Sequence, residues 1–394
     1  MRLDARGSLP DPTAASKLSR REFMERVGSG LTVFFWVDPS FGYQEPERLP
    51  RRGSYPTDFN AYLKVGGDGR VTCLVGKIEM GQGAMTSLAQ LLAEELEVPL
   101  ESVDMVMGDT DLCPWDMGTF GSLSIRSFGP VLSAAAAEAR TVLIQLAAER
   151  LQVPPNRLEA KAGVIRDKET DRRVTYAELT HGQRIERHLE KPPALKPTAS
   201  NAVIGKSAPR RDALEKVTGK SKYAGDMGIP GTLHARIVRP PAHGAPLKEV
   251  DTTAAQAFKG ATVVRDGDLV AVLHERPDQA EEALALVKAR FDRPETLLDD
   301  RTIFDHLIKA APEGRLVGES GSLQEGEKLG STFFDETYFN SYVAHAPLET
   351  HSAVAKFEGG RVTLWVSTQA PFTVKNQVAQ AIRIAPENVR VITP

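Results

Sequence analysis

Cysteine is scarce in this chain: Cys73 and Cys113 are the two thiols in 394 residues, and they are not arranged as C-x-x-C. An iron–sulfur cluster takes four thiolates, and a disulfide framework takes several pairs. This chain alone supplies neither. The burial habit of cysteine favours two buried free thiols over a single disulfide. A strong charge of one sign is also missing. The 49 basic and 52 acidic side chains leave a net charge of -3, so nothing in the balance points to nucleic acid as a partner. Lys/Arg-rich runs are lacking outside the N-terminus. There is no Gly-x-Ser-x-Gly nucleophile elbow and no P-loop, and no internal repeat. What remains is ordinary globular composition, 41% hydrophobic and 26% charged, which argues against a disordered or polytopic membrane protein. The length predicts two or three domains at roughly 150 residues each.

The amino terminus carries Ser19-Arg20-Arg21-Glu22-Phe23-Met24, a twin-arginine export pattern. The apolar run at 27–37 contains Leu31, Val33, Phe34, Phe35 and Trp36. It is shorter than the roughly 20 residues a bilayer span needs and has the length of a signal-peptide core. That export route carries proteins already folded around a cofactor. An ordinary amphipathic leader with an accidental Arg pair is the plainer alternative. Glu22 and Glu25 dilute the charge, and no small-x-small cleavage site follows the apolar run, which is compatible with an uncleaved leader. Residues 38–58 read as a Pro-, Arg- and Gly-rich linker.

The next stretch predicts a hairpin, 60–64 and 71–75, turning over Gly66-Gly67-Asp68-Gly69. A helix is expected over 84–96, because Leu88, Leu91, Leu92 and Leu96 share one face. A strand follows at 103–107, then a Gly/Ser/Thr-rich loop over 118–127 and a long helix over 131–151. A second unit follows the Pro-rich stretch 191–197 and mixes strands at 232–238, 261–264 and 269–273 with a helix at 277–288. Residues 313–330 read as a polar linker. A third unit holds a hairpin at 354–357 and 362–367, a helix at 373–382 and a strand at 389–392. The fold class is α+β.

Three stretches could carry chemistry. Gly81-Gln82-Gly83 opens the helix at 84. Two glycines let backbone approach a ligand, and the helix end offers N–H groups and positive potential for a phosphate or oxyanion. By itself this pattern is more often a plain turn. Thr119-Phe120-Gly121-Ser122-Leu123-Ser124, with Arg126 and Ser127 behind it, is a donor-rich loop leading to a second helix end, or simply a solvated loop. His345, Glu349 and His351 invite a metal reading. Pro347 and the uneven spacing favour a structural segment instead, and no metal ligand is assigned.

Taken in order, these motifs resemble the molybdenum-cofactor-binding large subunits of the xanthine oxidase family, and within it the isoquinoline 1-oxidoreductase beta-subunit type. Met80-Gly81-Gln82-Gly83 with Thr86 is similar to the family's M-G-Q-G-x-x-T cofactor loop, and Thr119 to Ser124 to its second cofactor loop. Lys216-Val217-Thr218-Gly219 with Lys222-Tyr223-Ala224-Gly225-Asp226 resembles the opening of its α/β hammerhead domain. Leu348-Glu349-Thr350-His351 and Trp365-Val366-Ser367-Thr368-Gln369-Ala370-Pro371 resemble the start of its first molybdenum-binding domain. The resemblance implies a leader and linker at 1–57, a molybdopterin-binding segment at 58–200, a hammerhead domain at 201–312 and an incomplete molybdenum-binding domain at 313–394.

It further implies cofactor contacts at Gly81, Gln82, Gly83, Thr86, Thr119, Phe120, Gly121, Ser122 and Ser124. The implied cofactor is molybdopterin cytosine dinucleotide. The implied partners are a small subunit carrying [2Fe-2S] clusters and an electron acceptor such as a cytochrome. The implied activity is oxidative hydroxylation of an N-heteroaromatic or aldehyde substrate. The expected location is periplasmic or periplasm-facing, with the cytoplasm as the alternative. Family members continue past a segment like 389–394 into a Gly-rich loop and a catalytic Glu. Those features lie outside this sequence, so no catalytic residue is carried over, and Glu79, Glu94 and Glu349 are not given that role. The expectation is therefore a partial or split subunit, with another chain supplying the C-terminal half. A non-catalytic exported binding or assembly protein retaining the scaffold is the alternative.

Overall fold

The computed structural model describes residues 30–34, 62–181, 184–185, 193–293, 295, 298–348 and 350–394. The twin-arginine motif, the linker at 38–58 and Glu349 lie outside them. The chain divides into two compact units, one of residues 1–227 with 350–394, the other of residues 228–349. The first unit therefore extends past the boundary expected at 200, because residues 196–212 are bonded to its first helix.

The first unit starts from a five-stranded sheet. Strands β1 (Gly30–Phe34), β2 (Tyr62–Val65) and β3 (Val71–Val75) are successive antiparallel neighbours. Part of the expected signal-peptide core is thus a strand. The β2–β3 turn closes through Gly66 N–H to Arg70 C=O at 2.8 Å, and Gly69 supplies its left-handed residue at φ 77°. Helix α1 (Ala84–Leu96) crosses over from β3 to β4 (Val103–Met107), which pairs parallel to β3. Leu63, Val65, Val71, Cys73 and Val75 alternate inward and meet Leu88, Leu92 and Leu96 of α1.

A short helix α2 (Leu123–Arg126) precedes the long α3 (Phe128–Leu151). Ala135, Ala136 and Ala139 are buried and let α3 approach α1 closely. By length and composition the stretch Leu123–Leu151 could cross a bilayer, but Phe128, Leu132, Val142 and Leu143 fill the core instead. Strands β5 (Leu158–Lys161), β6 (Val164–Asp167) and β7 (Arg173–Thr175) form an antiparallel meander, and β7 runs into α4 (Tyr176–Thr180). A Thr175/Glu178 capping box starts α4. The Tyr176 hydroxyl donates to Leu96 C=O at 2.7 Å, tying α4 to the end of α1. Strand β8 (Arg184–Ile185) pairs parallel to β1, and α5 (Ala213–Val217) ends this part of the unit.

The second unit contains the antiparallel sheet β11-β12-β9 and the ribbon β10-β13. These strands are β9 (His234–Ile237), β10 (Leu247–Asp251), β11 (Thr262–Asp266), β12 (Leu269–His274) and β13 (Lys288–Phe291). Helices α6 (Thr253–Gln256) and α7 (Pro277–Ala285) give it a small core of Ala255, Val272 and Ala283. Two more helices, α8 (Ile303–Ala310) and α9 (Leu323–Leu329), follow, the latter inside the stretch expected to be linker.

The chain then returns to the first unit. Strands β14 (Ala353–Glu358), β15 (Arg361–Val366) and β16 (Val389–Ile392) form a sheet in that order, with α10 (Pro371–Ile382) as the crossover to the parallel β16. Strand β16 is stitched to the segment after β4. Thr110 N–H donates to Val391 C=O at 2.9 Å, and Thr393 N–H to Gly108 C=O at 3.0 Å. Arg390 grips Asp109 at 2.5 Å. Sequence-distant motifs are thereby held within one body.

Candidate functional site

Three loops of the first unit meet after β3, before α2 and before α10. Thr119 is their junction. It is 2% exposed. Its Oγ1 accepts the Ile78 N–H at 3.0 Å. Its own N–H donates to Gln369 C=O at 2.8 Å, and its C=O accepts from Gln369 Nε2 at 2.7 Å. Three stretches quoted from sequence, around residues 80, 120 and 369, therefore share one place.

Beneath them lies Lys77, fully buried. Its Nζ donates to Asp116 Oδ1 at 3.0 Å and to Gly118 C=O at 2.7 Å, and sits 5.9 Å from the Phe128 ring centre. The charges of Lys77 and Asp116 are thus paired and hydrogen-bonded, as their burial requires. Gly118, at φ 126°, could not carry a side chain here. A Cβ would lie 2.5 Å from the Phe120 ring and 3.2 Å from Gln369 O.

The Gly81–Gly83 loop is closed on itself. Glu79 Oε1 accepts the N–H groups of Gly81 and Gly83 at 2.8 and 2.9 Å, and Oε2 accepts that of Met85 at 2.9 Å. Gln82 Oε1 accepts from Met80 N–H at 2.7 Å, while its Nε2 donates to Ile78 C=O at 3.0 Å. Arg210 donates to Gly81 C=O at 2.7 Å and lies 3.5 Å from Glu79 Oε1. Thr86 Oγ1 accepts the Arg211 N–H at 3.1 Å. The α1 end expected to receive a phosphate is therefore filled by the chain's own carboxylate, because Glu79 lies just before the N–H groups it satisfies. The outer face remains open. Gly81, at φ 101°, has no atom within 4 Å of where a Cβ would stand, and Met80 is half exposed.

The other loop differs. Phe120 is 44% exposed, and Gly121 and Ser122 are both exposed and left-handed, at φ 63° and 57°. The backbone N–H groups of Phe120, Gly121 and Ser122 donate to nothing among the described residues, and the Ser122 and Ser124 hydroxyls have no partner among them. This loop does not lead straight into the long helix, as the sequence suggested. The four-residue α2 intervenes, and α3 begins at Phe128, which is buried. Successive unpartnered donors suit an acceptor-rich ligand.

Residues 196–212 brace α1 from outside. Glu94 is 1% exposed and accepts from Lys196 Nζ at 2.6 Å and from the N–H groups of Ala202, Val203 and Ile204 at 3.0, 2.6 and 3.0 Å. Burial pushes this carboxyl up, but Lys196 and the three N–H groups outweigh it and hold it at about 2. Cys73 and Cys113 are both buried and free. Burial raises both thiols, that of Cys113 to about 12, so neither is a ready nucleophile. His345 and His351 are exposed and fall in different compact units. No cluster of metal-ligating side chains occurs among the described residues.

Sequence reasoning singled out the loops but missed Lys77, Asp116 and Arg210. Asp116, two residues before a glycine, was a readable turn signal: its Oδ1 accepts the Gly118 N–H. Nothing local marks Arg210, which lies 129 residues from the carbonyl it binds.

Family models described as molybdopterin cofactor-binding domains match residues 11–209 and 310–394. The B subunit of nicotinate dehydrogenase from Pseudomonas putida is 31% identical over 84% of this chain and 29% of its own length. The beta subunit of isoquinoline 1-oxidoreductase from Brevundimonas diminuta is 27% identical over 98% of this chain and 56% of its own. Among solved structures, quinoline 2-oxidoreductase from Pseudomonas putida 86 matches with a TM-score of 0.38 and 21% identity, over 48% of this chain and 30% of that one. The chain spans 29% and 56% of the two curated relatives. With the first model matching residues 11–209 of 394, the chain belongs to the molybdopterin cofactor-binding family, that of the xanthine oxidase-type molybdenum-binding subunits.

Proposed function

We propose that this chain forms part of the cofactor site of a molybdenum hydroxylase, a molybdopterin-dependent oxidoreductase. The observation that carries this is the Thr119 junction, which brings the loops at 80, 120 and 369 together within a body matched by the family models. The open face of Gly81, the unpartnered donors at 120–122 and the Ser122 and Ser124 hydroxyls would hold the cofactor. Gln82 and Gly83 would shape the loop that it meets, and Thr86 would anchor that loop. When bound, the cofactor supplies a two-electron redox centre and a water-derived oxygen.

The overall reaction converts an electron-poor C–H and water into C–OH, releasing two electrons and two protons. An N-heteroaromatic substrate, or an aldehyde, fits the names of the relatives. The cytosine dinucleotide form of the cofactor, a [2Fe-2S] subunit and a cytochrome-type acceptor are parts of the same proposal. So are twin-arginine export to the periplasm and a hammerhead domain at 201–312, of which residues from Gly228 fold as a separate compact unit. No residue of this chain is assigned as catalytic base. Glu79 and Glu94 are both consumed by backbone donors.

The test is molybdenum and released cytosine nucleotide in the purified chain, alone and co-expressed with the subunits encoded beside it. Metal and nucleotide in stoichiometric proportion support the reading. Their absence under both conditions overturns it and favours a scaffold protein without redox chemistry.

A further inference from the structure

The acidic residue beside the Gly81–Gly83 loop has no assigned task. Its carboxylate lies where an external anion would otherwise sit at the start of α1, and it takes three N–H groups of the loop and first turn, from Gly81, Gly83 and Met85. Its side chain is 10% exposed. From the other side Arg210 binds the Gly81 carbonyl and closes on the same carboxylate. Asp212 in turn holds Arg210 through both carboxylate oxygens, at 3.0 and 2.8 Å. Gly81 is thus held on both sides, the peptide plane before it through its N–H by Glu79 and the plane after it through its C=O by Arg210. A glycine at φ 101° with open space around it has no side chain to fix its conformation. Among the described residues, these two side chains are the partners that hold the planes on either side of it.

We propose that Glu79 and Arg210 are positioning residues that set the Gly81–Gly83 loop in its binding conformation before any cofactor arrives, Glu79 acting as a built-in anion that excludes external ones from the α1 end. This rests on the cofactor reading given above. It goes beyond it by assigning the loop's shape to two side chains that would not touch the ligand. A site whose geometry is fixed beforehand does not spend binding energy on ordering a loop. Because the α1 end is filled, the loop presents its outer edge to the ligand.

The test compares wild type with Glu79→Ala, Glu79→Gln and Arg210→Met, reading amide exchange residue by residue beside molybdenum content. Glu79→Ala opens an anion-sized gap lined by three N–H groups. Exchange at Gly81, Gly83 and Met85 should rise at least about tenfold as local order is lost, and molybdenum content should fall severalfold. Excess acetate should restore both, whereas chloride at equal ionic strength should not. Glu79→Gln keeps one acceptor oxygen, so Gly81 and Gly83 should stay protected while Met85, now facing an NH2 group, should not. Arg210→Met should raise exchange at Gly81 with a smaller loss of metal.

Unchanged exchange in Glu79→Ala, or no response to acetate, overturns the proposal. If Glu79→Ala does not fold, selective deprotection of Met85 in Glu79→Gln supports it, and uniform protection overturns it. The two readings fail separately. A wild type without molybdenum but with acetate-rescued exchange in Glu79→Ala rejects the cofactor reading and keeps the brace. Molybdenum bound equally by wild type and Glu79→Ala rejects the brace alone.

Discussion

The two loops of the candidate site are built on opposite plans. In the Gly81–Gly83 loop the chain uses its own groups: Glu79 takes the N–H groups of Gly81 and Gly83, Gln82 that of Met80, and Arg210 the Gly81 carbonyl. In the Phe120–Ser124 loop the N–H groups of residues 120–122 and the Ser122 and Ser124 hydroxyls are without a partner among the described residues. One loop supplies a fixed shape and the other supplies unfilled hydrogen-bonding capacity. A ligand needs both, since shape without donors gives no anchorage and donors without shape give no orientation.

Four predictions sharpen or break this contrast, from the largest effect to the smallest. Lys77→Met removes the cation beneath both loops and strands Asp116 in the interior. Breaking a buried pair this way costs about 3–5 kcal/mol, to be read as a lower urea midpoint. A loss near zero would mean that the fixed loop does not depend on its foundation.

Glu94→Gln weakens the strap that carries Arg210 to the loop. The wild-type carboxyl is held at about 2 against an ordinary 4.5. A depressed folded value stabilises above the unfolded value, and that contribution disappears as pH falls from about 4.5 toward 2. The wild type should therefore lose about 2–3 kcal/mol across that window, and Glu94→Gln should show a flatter profile. Parallel denaturation curves for the two proteins would contradict this.

Thr119→Val deletes the acceptor for the buried Ile78 N–H, at a cost of about 1–3 kcal/mol. Thermal melting should show it, with both loops exchanging faster. Ser122→Ala, in contrast, should change stability by less than about 0.5 kcal/mol, as exposed positions do, while molybdenum retention falls. A stability loss equal to that of Thr119→Val would erase the distinction between the loops.

Much of this fold was legible in the sequence. The helix at 84–96 and the strands at 71–75, 103–107 and 389–392 were expected at their observed bounds, because leucine periodicity and β-branched runs report local burial directly. Strand β10 was missed, since Leu247–Asp251 is mostly exposed and lacks alternation. The start of α3 was placed late, because Pro130 in its first turn reads equally as a stop. At the site, the glycine and hydroxyl patterns marked both loops. What they could not show was which donors the chain would use itself. That depends on Glu79 reaching forward to residues 81–85 and on Arg210 arriving from far along the chain, and local propensity contains neither.

The most direct test is residue-level amide exchange on the molybdenum-loaded protein and on the same protein stripped of cofactor. The account predicts that Gly81, Gly83 and Met85 are protected in both forms, whereas Phe120, Gly121 and Ser122 gain at least about tenfold protection only when loaded. Equal exchange at residues 120–122 in the two forms, or protection at residues 81–85 that appears only with cofactor, would contradict it.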